Sequence, residues 1–136
     1  MVKSEKDVEE FLRQNQLPYS QGKTILGIVM PKAITYILGP VISSSCMKYH
    51  ILHFHEDSLI VIGVNSVTGN MEKDAIQMIP HVKIQNVSFK KKMTHWILTV
   101  HTSDGDLEYR VNPAMVGSGW HKANLANLRN AGVLVE

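Results

Sequence analysis

Lys48-Tyr49-His50-Ile51-Leu52-His53-Phe54-His55-Glu56-Asp57-Ser58-Leu59-Ile60-Val61-Ile62 is the stretch that decides the fold. Two apolar-rich runs, Lys48 to His55 and Ser58 to Val64, flank the polar pair Glu56-Asp57, a connection short enough for a β-hairpin. In the first run Leu52 and Phe54 share one face while Ile51, His53 and His55 share the other, because successive strand side chains alternate. The second run is apolar on both faces, which places it inside a sheet.

Downstream, more short strands follow at turn-punctuated spacing. Asn65 to Asn70 reads as a turn, and Ala75 to Ile79 as a strand ended by Pro80. Val82 and Ile84 alternate in one phase and Val87 and Phe89 in the other, which predicts a β-bulge near Gln85-Asn86. Lys90-Lys91-Lys92 reads as a loop. Thr94 to His101 then presents Trp96, Leu98 and Val100 on one face, and Asp104-Gly105 supplies a hairpin turn. Leu107, Tyr109 and Val111 face inward on the partner strand. After Asn112-Pro113, Ser118 is a candidate N-cap for a helix over about Trp120 to Ala131, with Trp120, Ala123, Leu125, Leu128 and Ala131 as its apolar side and Gly132 at its stop.

Upstream lie two further segments. Thr24 to Ile42 is the most apolar stretch, and its length raises a membrane-spanning reading. Lys32 beside Pro31, and Gly39-Pro40, cut it into strand-sized pieces, so two buried strands are expected at about Thr24 to Met30 and Ala33 to Leu38. Residues 4 to 17 read as a helix: Ser4 and Asp7 match a capping pattern, Val8, Phe11 and Leu12 repeat at helical spacing, and Pro18 ends it. Its narrow apolar stripe predicts packing at the domain edge or against another subunit. The expectation is a mainly β fold with some α: a bent, antiparallel, seven-stranded barrel or sandwich capped by a C-terminal helix, with residues 1–20 a helical extension and 21–136 the domain proper.

Composition narrows the function classes. At 136 residues the chain can bury one core without a disulfide or metal staple. A net charge of +2 gives no whole-protein field for gathering nucleic acid, so no nucleic acid partner is expected. A lone Cys46 and the charged start Met1 to Asp7 point to the cytoplasm.

The strand-turn-strand run Lys48 to Ile62, Ile79-Pro80 ahead of Val82-Lys83-Ile84-Gln85-Asn86-Val87-Ser88-Phe89, and Trp120-His121-Lys122-Ala123-Asn124-Leu125 resemble bacterial pleckstrin-homology-like (PH-like) domains over about Thr24 to Ala131. The resemblance implies a seven-stranded, strongly bent sheet with a closing helix, and a binding or assembly module that often self-associates. Phosphoinositide-binding relatives use several basic residues near the first hairpin. The matching region here, Pro31 to Lys48, holds only Lys32 and Lys48.

The chemistry-bearing residues remain sparse. Lys90, Lys91 and Lys92 are the candidate anion-binding group, since adjacent ammonium groups can hold phosphate as point charges. Seven histidines invite a metal reading through His53 with His55 and His95 with His101, but no ligand motif accompanies them. Cys46, beside Ser43-Ser44-Ser45 and four residues before His50, lacks a third catalytic group. Gly117-Ser118-Gly119 lacks the spacing of a phosphate loop. No catalytic residue and no cofactor is expected, and Leu52, Phe54, Trp96, Trp120, Leu125 and Leu128 are taken as structural anchors. The leading expectation is a non-enzymatic module working through protein contacts, self-association included. The alternative is an anionic-lipid or anionic-ligand module using the lysine triplet, helped by residues near Ile34 to Leu38.

Overall fold

The computed structural model describes residue 2 and residues 4–30, 47–115 and 118–135. Seven antiparallel strands form one sheet: β1 (Thr24–Val29), β2 (Tyr49–Phe54), β3 (Ser58–Val64), β4 (Met71–Pro80), β5 (Ile84–Lys91), β6 (Trp96–Thr102) and β7 (Gly105–Val111). Their spatial order is β4-β3-β2-β1-β7-β6-β5. The helices are α1 (Glu5–Gln14) and α2 (Gly119–Asn130). The sheet is open rather than closed into a barrel, with β4 and β5 as its two edges.

The two halves of the sheet meet narrowly. β1 pairs with β2 from Thr24 to Ile28 but with β7 only at Ile28 and Val29. Before Ile28 the halves diverge, and the inner core fills the space between them: Ile25, Leu52, Phe54, Leu59, Val61 and Ile79 from one half, Phe89, Trp96, Leu98, Val100, Leu107, Tyr109 and Val111 from the other, with Leu125 and Leu128 of α2. Gly27 permits the close approach at this hinge. A Cβ there would lie 2.8 Å from the Tyr109 ring.

β3 is buried along its whole length because both of its faces are covered. Leu59 and Val61 enter the inner core, while Ile60, Ile62 and Val64 join Leu26 and Ile51 in a second cluster beneath α1. Val8 and Leu12 of α1 are fully buried there. The helix expected at the domain edge therefore covers a sheet face, since a narrow stripe suffices for a ten-residue helix lying on a flat apolar surface. Ser4 and Asp7 form the expected capping box.

Several local expectations shift. The β2–β3 connection is His55 to Asp57, and β4 runs from Met71 rather than Ala75. The bulge lies between Ile84 and Asn86 as expected, but Val82 sits in a 3-10 turn (His81–Lys83) and is 93% exposed. At the β6–β7 turn only Gly105 takes a positive φ, so Ser103 and Asp104 form the connection. Ser118 occupies the N-cap without a side-chain cap; its hydroxyl donates to the Val2 carbonyl. On α2, Ala123 and Ala131 are exposed and Trp120 is half-buried, whereas His121, Asn124, Leu125 and Leu128 form the buried side. Thr24–Val29 is a strand, so Thr24 to Ile42 is not one membrane-spanning helix, and among the described residues no helix is long and apolar enough to cross a membrane. The strand expected at Ala33 to Leu38 lies outside the described residues, as does Cys46.

Candidate interaction surfaces

The first surface is the outer edge of β4. Ser58 opposes Pro80, and the His81 N–H donates to the Asp57 carbonyl, a pattern that makes Ser58–Pro80 a non-hydrogen-bonded pair. The backbones of Ile79 and Gln77 then alternate with those of Met78 and Ile76, which turn outward. Pro80 blunts one end because it has no N–H to offer. Met78 is 40% exposed on this edge, and Glu72, Lys73 and Asp74 precede it with alternating charge.

The second surface is the outer edge of β5, and it changes the reading of the lysine triplet. Lys90 and Lys91 are the last residues of β5 and only Lys92 lies beyond it, so the three are not a shared loop. The two strand lysines project to opposite faces. Lys90 lies opposite Ile97, while the Lys91 ammonium sits 5.8 Å from the centre of the Trp96 ring. Trp96 stacks on Phe89 at 4.4 Å between ring centres, and the Arg129 guanidinium lies over its ring at 4.5 Å.

A polar seam joins α1, β1, β2 and α2 where the sheet halves part. Leu26 and Thr24 of β1 lose β7 as a partner there. The Leu26 N–H donates instead to His121 Nδ1, and the Thr24 carbonyl accepts from Asn124. His121 Nε2 in turn donates to the Asn112 carbonyl. Two polar side chains on the buried side of α2 thus replace a missing strand, since buried backbone groups need partners. Glu5 accepts from the Tyr19 hydroxyl, the Gly22 N–H and Asn124. Burial pushes its carboxyl up, but those hydrogen bonds outweigh burial and hold it below the ordinary carboxylate value. Tyr19 stacks on His53, whose Nε2 accepts from the Ser20 N–H and whose Nδ1 pairs with the Thr24 hydroxyl.

These contacts decide the histidine and anchor expectations. His53 is fully buried with both ring nitrogens engaged, so it does not join His55 as a ligand pair. His101 pairs with Asp106 and His95 with Thr94. Among the described residues, no group of three or more His, Cys, Asp or Glu has a metal-binding arrangement. His50 is buried against the Tyr109 hydroxyl at 2.8 Å, and burial raises that phenol. Leu52, Phe54, Trp96, Leu125 and Leu128 lie in the inner core as expected, while Trp120 packs on the α1 side with its indole N–H buried and without a hydrogen-bond partner among the described residues. A mainly apolar cleft of about 340 Å³ opens near Leu26, Tyr49, Val64 and Met115. Sequence reasoning missed the seam because His121 and Asn124 answer backbone groups 95 and 100 residues away in the chain, a need visible only once β1 and β7 diverge.

No protein-family model matches the chain, and no curated protein matches it.

Proposed function

We propose that this chain is a non-catalytic, cytoplasmic PH-like module that works through protein contacts, with a second copy of itself among its partners. The strand order, the divergence of the halves after β1 and the closing helix are compatible with that family. One observation carries the functional reading: β4 is a ten-residue edge strand whose Ile76 and Met78 backbones turn outward. Unpaired edges template strand addition by another chain. In an antiparallel pairing of two copies centred on Gln77, the outward Ile76 backbone meets the outward Met78 backbone, and Glu72, Lys73 and Asp74 do not face one another.

Light scattering over a range of concentrations tests this. The wild-type protein is expected to exceed monomer mass, and Met78→Pro, which removes an outward N–H without touching the β3 ladder, is expected to return it to monomer. A wild-type monomer at every concentration removes the self-association clause. Sedimentation with vesicles of phosphatidylcholine and phosphatidylserine separates the alternative, in which the lysines hold an anionic surface: co-sedimentation lost on changing Lys90, Lys91 and Lys92 to Ala would favour it.

A further inference from the structure

The contacts of His53 fix the direction of each of its hydrogen bonds. A backbone amide only donates, so the Ser20 N–H at 3.1 Å requires Nε2 to be the bare, accepting nitrogen. The ring proton then lies on Nδ1 and is donated to the Thr24 hydroxyl at 2.7 Å. A second proton can go only to Nε2, where it would face the Ser20 N–H donor to donor. The ring is fully buried, stacked under Tyr19 at 5.3 Å between ring centres, with Thr24 of β1 and Ile60 of β3 on either side.

The group that such a proton displaces belongs to a separable arm. Among the described residues, none from Ser4 to Gly22 takes part in a strand pairing or enters the inner core. Val8 and Leu12 lie instead in the second cluster with Leu26, Ile51, Ile60 and Ile62. The arm's polar ties run in series. Ser20 donates to His53, Tyr19 stacks on His53 and donates to Glu5, and Glu5 accepts from the Gly22 N–H and from Asn124 of α2. Ser20 and Tyr19 are adjacent in the chain, so a displaced Ser20 pulls on the residue that both covers His53 and holds Glu5.

We infer that His53 is an acid-sensitive latch: a proton taken from solvent at Nε2 removes the acceptor that holds Ser20, and the arm from Ser4 to Gly22 opens from the outer face of the sheet while the seven strands and the inner core stay folded. The device uses neither edge of the sheet, so it and the β4 reading can fail separately.

The charges around the ring set its direction. Facing His53 are Glu5 of α1, Tyr19 and Lys23 of the segment that follows, and His55 of its own strand. Burial is the main influence against a charge on the ring; His55 and Lys23 add to it and Glu5 opposes it, which together bring the imidazole from 6.5 to about 4. Above 6.5 the ring is neutral whether the arm is closed or open. Between 6.5 and about 4 only the opened ring binds a proton, so acid favours opening. Burial raises the Glu5 carboxyl, but its hydrogen bonds hold it below the ordinary value, so stronger acid weakens that tie as well.

Amide exchange of the full chain by NMR, corrected for the intrinsic pH dependence of exchange, is the test. The Leu12 and Arg13 amides are expected to exchange through an opening that leaves Leu98 and Val100 protected. Its equilibrium constant is expected to rise about 20-fold from pH 7 to pH 5. In His53→Gln, whose side-chain oxygen can accept from Ser20 without titrating, that rise should largely vanish. The wild-type ring gives a second reading: its nitrogen shifts should show the Nδ1–H tautomer at pH 7 and protonation in step with the opening. Exchange of α1 only together with Leu98 and Val100, an opening constant that ignores pH, a full rise in His53→Gln, or a protonated His53 beneath a still-protected arm would overturn the inference.

Discussion

The two halves of the sheet solve the same burial problem differently. In the first, β2 and β3 are buried on both faces and need a cover on each: the opposite half of the sheet inside and α1 outside. In the second, β6 alternates strictly, with Trp96, Leu98 and Val100 buried and Ile97, Thr99 and His101 part-exposed. Its outer face, with Ser88, Lys90, Glu108 and Arg110 on the flanking strands, stays polar. The difference teaches that α1 is a structural requirement of the β2–β3 hairpin rather than an appendage. The edges differ too, since β5 is partly occupied by Val135 while among the described residues no chain segment pairs with the outer edge of β4.

The comparison breaks most sharply at α1. Leu12→Ala, at a fully buried position against the second cluster, is expected to cost about 3 kcal/mol in urea unfolding, the usual scale for a large-to-small core change. A negligible cost would mean that α1 is not a necessary cover.

Acid should act on the same half. Burial, aided by the charges of His55 and Lys23 and opposed by Glu5, pulls the His53 imidazole down to about 4 from 6.5. Above the higher value both folded and unfolded chains are neutral at this site. Below it the unfolded chain takes a proton that the folded chain refuses, so stability falls as pH drops from 6.5 to about 4. His121, also held down by burial, adds in the same direction. The loss from His53 should reach about 2–3 kcal/mol, and in His53→Asn the dependence should shrink by that share. An undiminished pH slope in that variant would contradict the buried, neutral assignment.

At the hinge between the halves, Gly27→Ala forces a methyl against the Tyr109 ring and Leu52 and should cost about 2 kcal/mol through overpacking. The smallest effect is expected on the second half's outer face: Thr99→Ala should stay within about 0.5 kcal/mol of wild type, as surface changes usually do. A large loss there would reveal a cover on that face.

Much of this architecture was legible locally. The β2–β3 hairpin, the bulge before Asn86, the inward set Leu107, Tyr109 and Val111, and the Ser4 cap follow from alternation and capping chemistry within a few residues. What escaped depends on distant partners. The lysine triplet reads as a turn by composition, yet pairing with β6 extends the strand through Lys91. The buried side of α2 carries His121 and Asn124 because β1 lacks a strand neighbour there, while Ala123, apolar by type, faces outward. The candidate surfaces were less legible still, because which edge is open depends on where the C-terminal residues settle.

Hydrogen exchange of individual amides, recorded at low and at high protein concentration, tests the central claim that the open β4 edge is where partners add. Ile76 and Met78 amides should exchange quickly in dilute protein and gain protection as concentration rises, while the Gln77 and Ile79 amides, directed at β3, are protected throughout. Unchanged Ile76 and Met78 exchange while another surface gains protection would contradict it.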